Sequence, residues 1–146
     1  MEISVRSGTI NEAVSIQHQI PEFVNGYTIQ DYKNRLQDGN YVILVAEFDQ
    51  KPVGFKVGYD RFMDGEVFYS WMGGVIPEFR TKGIAKFLLE KMEIWCKIKG
   101  YRYLKFKTTN QHHSMIHFAI NHGFHIVDFE PKANSKESKI YFQKEL

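Results

Sequence analysis

Val75-Ile-Pro-Glu-Phe-Arg-Thr-Lys-Gly-Ile-Ala85 is the stretch on which the fold of this chain turns. A β-type run from Val67 to Val75 leads into it. Pro77 ends that run, because proline brings no N–H to a ladder. A turn carrying Arg80, Lys82 and Gly83 follows, and the hydrophobic period then changes. Ile84, Leu88, Met92, Trp95 and Ile98 recur at helical spacing, with Ala85, Leu89 and Cys96 alongside. A strand–turn–helix of this kind points several backbone N–H groups, a helix N-terminus and two cations at one small volume. Such a volume suits a pyrophosphate.

Upstream, Ile3 to Arg6 reads as a short strand. Asn11 or Thr9 caps a helix running to about Gln19, where Pro21 stops it. Thr28 caps a second helix, Ile29 to Leu36, closed by Asp38-Gly39. Tyr41 to Phe48, Val53 to Tyr59 and Glu66 to Val75 are three strands joined by turns at Asp49-Gln-Lys-Pro52 and Met63-Asp-Gly65. Downstream, Gly100 ends the long helix. Tyr103 to Lys107 alternates as a strand, Met115 to Asn121 is a shorter helix, and Phe124 to Phe129 and Lys139 to Gln143 are the last strands. On the helix after Gly83, Lys86–Glu90 and Glu93–Lys97 stand at i,i+4 on the wet face. No linker, internal repeat or low-complexity tract interrupts the chain. The expectation is one α/β domain over residues 1–146, with a single mixed sheet and helices on its faces.

The 146 residues suffice for one sizeable core, and 43% apolar with 25% charged is an ordinary globular balance. No apolar run reaches membrane-span length, and Met1-Glu-Ile-Ser-Val lacks a signal-peptide layout. The one cysteine, Cys96, excludes a disulfide framework and reads as a buried small hydrophobe. A reducing, cytoplasmic setting is therefore expected, with no membrane partner.

The net charge of +2 is unevenly spread. Residues 1–79 carry six Lys/Arg against eleven Asp/Glu, or −5, and residues 80–107 carry nine against two, or +7. The basic middle invites an anionic ligand, and the acidic first half favours a cationic one. Nucleic acid is not an expected partner, since the helix lysines lack interleaved aromatics and two glutamates break the patch. No P-loop or Gly-x-Gly-x-x-Gly fingerprint occurs. His112, His113 and His117 cluster without a nearby cysteine or a His-Glu-x-x-His pattern, so no metal site is expected.

Val75-x-Pro77-x-x-Arg80-x-x-Gly83-x-Ala85 resembles the central motif of the GCN5-related N-acetyltransferase (GNAT) superfamily. Gly123-Phe124 is similar to the pair that opens that family's penultimate strand. Ile20-Pro-Glu-Phe23, Gly54-Phe-Lys-Val-Gly-Tyr59 and Phe68-Tyr-Ser-Trp-Met-Gly-Gly74 resemble a bacterial subgroup of unassigned substrate. The resemblance covers essentially the whole chain. It implies a mostly antiparallel sheet of six to seven strands and about four helices, with a splay between strands four and five. It also implies acetyl-CoA as co-substrate. Its pantetheine arm would lie in the splay against backbone near Gly73 to Val75. Its phosphates would lie against the N–H groups of Thr81, Lys82, Gly83, Ile84 and Ala85, with Arg80 and Lys82 adding charge. Asn110 is the expected further cofactor contact.

The implied reaction is direct attack of a neutral amine, on a small molecule or a peptide, upon the acetyl thioester in a ternary complex. Something must take the amine's proton, and Glu22, Glu47 and Glu66 are the candidate bases, Glu22 first because its loop overlies the acceptor side in the family. A strand N–H near Val75 would serve the oxyanion. The tyrosine that protonates the thiolate in many members falls here at Ala119. Tyr69, His112 and His117 are the substitutes the sequence offers. Tyr27, Tyr59, Phe68, Tyr69 and Trp71 are candidate linings of an acceptor pocket, with Phe68 facing opposite to Tyr69. The missing tyrosine also motivates an alternative, a coenzyme A-binding module without turnover. Many relatives pair through edge strands, and the terminal strand Lys139–Gln143 is the expected edge of a monomer or homodimer.

Overall fold

The chain runs β1 (Ile3–Ser7), α1 (Ile10–Gln17), α2 (Ile29–Arg35), β2 (Tyr41–Phe48), β3 (Lys51–Tyr59), β4 (Val67–Val75), α3 (Ile84–Lys99), β5 (Tyr103–Thr109), α4 (His113–Asn121), β6 (His125–Glu130) and β7 (Lys139–Glu145). The structure is a computed structural model and describes residues 2–23 and 25–146. Both early helices begin in capping boxes. Thr9 accepts from the Glu12 N–H while Glu12 accepts from the Thr9 N–H, and Thr28 and Asp31 do the same for α2. Glycines in the left-handed region bracket α3, Gly83 at φ 82° and Gly100 at φ 93°.

Among the described residues, seven strands form one sheet in the order β1-β2-β3-β4-β5-β7-β6. Every neighbouring pair is antiparallel except β4 and β5, which run parallel because α3 crosses between them. Alternation along the strands divides the interior into two cores. Phe68, Leu88, Met92, Cys96, Leu104, Ala119 and Phe142 pack beneath α3 and α4. Ala13, Ile16, Ile20, Tyr32, Val45, Phe55 and Val57 pack beneath α1 and α2. Gly58 lets the first core close, since a Cβ there would fall 2.5 Å from the Phe68 ring.

Four sequence expectations change. The third strand starts at Lys51, ahead of Val53, because Pro52 pairs with Glu47 where the β2–β3 register shifts. The last strand is not an edge: β7 inserts between β5 and β6, so the edges are β1 and β6. Edge strand β6 exposes Ile126, Val127 and Phe129. Glu93 turns inward to pair with Lys144 at 2.7 Å, leaving the helix-surface pairing with Lys97 unmade. Ile98 continues the helical period yet is 77% exposed, one turn beyond the end of the core. Cys96 is fully buried, and burial pushes its thiol up to about 12. Among the described residues, no helix is long and apolar enough to cross a membrane.

Candidate active site

Strands β4 and β5 hydrogen-bond over only three residue pairs, Val67–Tyr103, Phe68–Leu104 and Tyr69–Lys105. Beyond Tyr69 and Lys105 they part. The remaining β4 residues, Ser70 to Val75, keep β3 alone as partner. Opposite Gly58 and Val57 stand Ser70 and Met72, so Trp71 is the extra residue of a β-bulge at the point of parting. A bulge bends its strand and increases twist, which carries β4 away from β5. The strands thus open a gap through the sheet.

One end of the gap is the turn from Val75 to Gly83. Pro77 starts a short 3-10 turn, Pro77–Phe79, and Thr81 then takes a positive φ of 66°. Gly83 follows at φ 82°, with nothing within 4 Å of where a Cβ would stand. No side chain caps α3. Among the described residues, the Ile84 and Ala85 N–H groups have no protein acceptor. A helix start with free N–H donors, a left-handed glycine and open space has the chemistry that suits an anion.

The two cations of this turn are committed differently. Arg80 makes a two-pronged ion pair with Glu22, Nη1–Oε2 at 3.0 Å and Nη2–Oε1 at 3.1 Å, and its Nε donates to the Val75 carbonyl at 3.0 Å. Two residues assigned separate roles from sequence therefore meet in one contact, tying the α1–α2 loop to the β4–α3 turn. Arg80 holds the Glu22 carboxyl below the usual carboxylate range. Lys82 places its Nζ 5.4 Å above the Phe48 ring.

On the face that carries α1 and α2, the gap opens onto aromatic side chains. Trp71 lies 4.8 Å from both Tyr27 and Tyr32, and Tyr59 meets Tyr69 edge-on at 6.0 Å. Tyr32 is fixed from below by its hydroxyl, which donates to buried Gln17 at 2.8 Å, while Gln17 Nε2 donates to the Tyr27 carbonyl at 2.7 Å. Burial raises the Tyr69 hydroxyl above its ordinary value. Phe68 faces the other way, into the α3 core, as alternation requires. No residue of β5, β6 or β7 joins the α1/α2-side core, so that half of the face is open.

The other sequence-assigned residues are spread out. His117 is exposed on α4, and His112 and His113 are exposed at its start. Glu66 is an exposed strand-end carboxylate paired with Arg102 at 3.0 Å, and Glu47 pairs with Arg6 at 3.1 Å on β2. Asn110 continues from β5, its Nδ2 donating to the Ser135 carbonyl at 3.3 Å. Ala119 is fully buried against the α3-side core.

Lys56 is the functional candidate that the sequence reading missed. It stands opposite Gly73 across β3–β4, on the α3 face, and its Cγ would lie 3.5 Å from a Cβ on Gly73. The stem lies beside the bare glycine of β4, the strand that borders the gap. Burial drives its ammonium down to about 8, partly offset by Glu93 and Cys96 of α3. The signal was available as a single charge within Val53-Gly-Phe-Lys-Val-Gly58, an otherwise apolar strand.

The family model described as "Acetyltransferase (GNAT) family" matches residues 13–124. No protein of curated function matches the chain. Among solved structures, it is similar to a GNAT family acetyltransferase from Elizabethkingia anophelis with acetyl-CoA bound, at 18% identity over 99% of this chain and 98% of that one, with a TM-score of 0.78. The ribosomal-protein-S18-alanine N-acetyltransferase from Escherichia coli matches at 14% identity over 99% and 94%, with a TM-score of 0.83. The paia N-acetyltransferase from Thermoplasma acidophilum in complex with coenzyme A matches at 19% identity over the whole of both chains, with a TM-score of 0.78. At these identities the likeness is one of fold.

Proposed function

The chain belongs to the GNAT acetyltransferase family, and from that premise we propose that it transfers an acetyl group from acetyl-CoA to a primary amine by direct attack in a ternary complex. The observation that carries this reading is the gap that opens after Tyr69–Lys105 and ends at the uncapped start of α3.

The residues fit the carrier. The free N–H groups and the open space at Gly83 suit its diphosphate. The inner edge of β4 from Gly73 to Val75 has no strand partner, and apart from the Val75 carbonyl, which Arg80 holds, its backbone groups are open to an extended amide-bearing arm. Arg80 has Nη protons beyond those given to Glu22, and Lys82 adds a second charge nearby. When bound, acetyl-CoA supplies the activated acyl group as a thioester. The chain's own residues orient it and move protons.

We assign Lys56 the return of a proton to the sulfur, since its stem lies beside Gly73 at the β4 border of the gap, on the same face as buried Ala119, where the family resemblance puts a tyrosine. An acid titrating near 8 is matched to that task at neutral pH. Tyr69 faces the acceptor side. Glu22, tied to Arg80, serves better as an anchor of the loop than as a base, because a carboxylate stabilised by a guanidinium is a weaker proton acceptor. The amine's proton leaves to water over the open half of the sheet.

Calorimetric titration with acetyl-CoA, followed by a thiol-release assay across a panel of amines, tests the reading. Saturable binding and amine-dependent thiol release are expected. Binding with no release above background for any amine would leave the carrier-binding module as the better account.

A further inference from the structure

The chain's five arginines divide cleanly. Arg6, Arg80 and Arg102 each pair with a carboxylate, to Glu12 and Glu47, to Glu22, and to Glu66. Arg35 and Arg61, among the described residues, pair with none and lie over aromatic rings instead. Arg35 stands 4.7 Å above Trp71 and 5.4 Å above Tyr27, and Arg61 stands 4.9 Å above Tyr69. These rings floor the end of the β4–β5 gap that faces away from α3. An arginine stacked on an aromatic ring keeps its N–H fork at the edge available for a carboxylate or phosphate.

Further cations face the same space. Lys105 and Lys107 share this face of β5, opposite the face of Leu104 and Phe106. Lys139 of β7 stands opposite Thr109, on the same side as Lys107. Lys107 is held below its ordinary value first by burial, then by Lys139, Arg61 and Arg35, with Glu130 the one carboxylate acting against them. Glu130 is already engaged by Lys132. Thr109 Oγ1 is buried there without a partner.

A cavity of about 280 Å³ adjoins the floor, lined by Arg35, Tyr59, Asp60, Arg61 and others. Two carboxylates share that lining, and Asp60 Oδ2 is committed to the Tyr101 hydroxyl at 3.0 Å and the Gly65 N–H at 3.2 Å. Asp38 is exposed at the rim. A second cavity, of about 330 Å³ between the start of α1 and β2, presents no charged side chain. The acidic first half of the sequence therefore does not make the acceptor side acidic. Glu12, Glu22, Glu47 and Glu66 are held in ion pairs and Asp31 in the α2 cap, which leaves Asp38 and the unpartnered Asp60 Oδ1 as the carboxylate groups facing the five cations.

We propose that the acceptor is a small amine carrying an anionic group, a carboxylate or a phosphate, held by Arg35 and Arg61 over the Tyr69–Trp71 floor. This rests on the transferase reading above for the fate of the amine, but not for the binding of the anion. The anion end docks on the guanidinium edges, and the amine end reaches along the floor into the gap.

The test has two independent readouts. In thiol release, β-alanine and 2-aminoethylphosphonate are compared with neutral ethanolamine and cationic putrescine. The anionic amines are expected to exceed both others at least tenfold in kcat/KM, and the two anions identify which group is preferred. Arg35→Gln and Arg61→Gln should each raise KM for the anionic amine at least tenfold, with the acetyl-CoA dissociation constant unmoved. The second readout is Trp71 emission, titrated with the same amines in the absence of turnover. A saturable change with the anionic amines only, lost in Arg35→Gln and partly restored in Arg35→Lys, which returns the charge without the fork, supports the proposal even if no amine is acetylated, in which case the transferase reading alone falls. Preference for putrescine, or equal response to all four amines in both assays, overturns it.

Discussion

The two ends of the β4–β5 gap are built from different materials. The α3 end is made of main chain, with free N–H groups at Ile84 and Ala85, the left-handed Gly83, and a carbonyl at Val75 that holds Arg80. The opposite end is made of side chains from separate elements: Tyr27, Arg35, Arg61, Tyr69, Trp71 and Lys107. A backbone receptor recognises a feature common to all its ligands and leaves little room for variation. A side-chain receptor can be rewritten residue by residue without disturbing the frame. The first suits a carrier that never changes, and the second suits an acceptor that sets specificity.

Breaking the chemistry between the two ends should produce the largest effect. Lys56→Met is expected to lower kcat about a hundredfold, within the usual range for losing a positioned acid. In the native protein, activity should fall as pH rises through about 8, where Lys56 loses its proton, and this alkaline limb should vanish in the variant. Stability should move the other way. The fold lowers the Lys56 pKa, so the unfolded chain holds more protons between about 8 and the ordinary lysine value, and native stability rises with pH across that window. Lys56→Met should flatten that rise and stabilise the protein at neutral pH by up to about 3 kcal/mol, measured by denaturant titration. A variant with native kcat and an unchanged alkaline limb removes Lys56 from the proton path.

Next in size is the backbone end. Gly83→Asp puts a negative charge and a strained left-handed residue where the diphosphate approaches. Affinity for acetyl-CoA should drop at least tenfold, on the order of 1.4 kcal/mol. An unchanged dissociation constant by calorimetry would show that this end is not the carrier's receptor.

Glu22→Gln sharpens the contrast by freeing Arg80 for the ligand. Acetyl-CoA should bind about threefold tighter, worth roughly 0.7 kcal/mol. The exposed pair should cost at most about 1 kcal/mol of stability when lost. Weaker binding would mean that the pair positions Arg80 and does not compete for it.

The smallest effect is expected from the frame of the side-chain end. Thr28→Ala removes the cap of α2, the helix that carries Arg35. A loss of about 1 kcal/mol in thermal or chemical unfolding is expected. Acetyl-CoA affinity should stay within a factor of two, while KM for the acceptor rises. Equal changes at both ends would dissolve the distinction between them.

The same difference in material explains what could be read in advance. Strand β2 matches its expected limits, Tyr41 and Phe48, because Gly39 at φ 84° and the Asp49–Gln50 pair at φ 49° and 72° punctuate both ends. Helix α3 was equally legible, bracketed by two glycines whose conformation only glycine adopts at little cost. The β4–α3 turn is contiguous, so its spacing could be seen. Strand β7 reads as an edge from sequence because nothing local records that β6 lies outside it; strand order is fixed by long-range pairing. The Arg80–Glu22 contact joins residues 58 positions apart, and no period links them. The cations of the side-chain end come from α2, the β3–β4 loop, β5 and β7, and their convergence exists only in three dimensions. Lys56 was visible as a lone charge in an apolar strand, but its meaning depends on the bare Gly73 beside it.

The burial of Cys96 has a practical corollary for every assay of this molecule. Folded protein should give no colour with a disulfide reagent, because its one sulfhydryl is both inaccessible and fully protonated at working pH. The protein is thus its own blank. One equivalent of reagent consumed in the absence of substrate would count unfolded chains, turning a nuisance background into a stability gauge that can be read in the same cuvette.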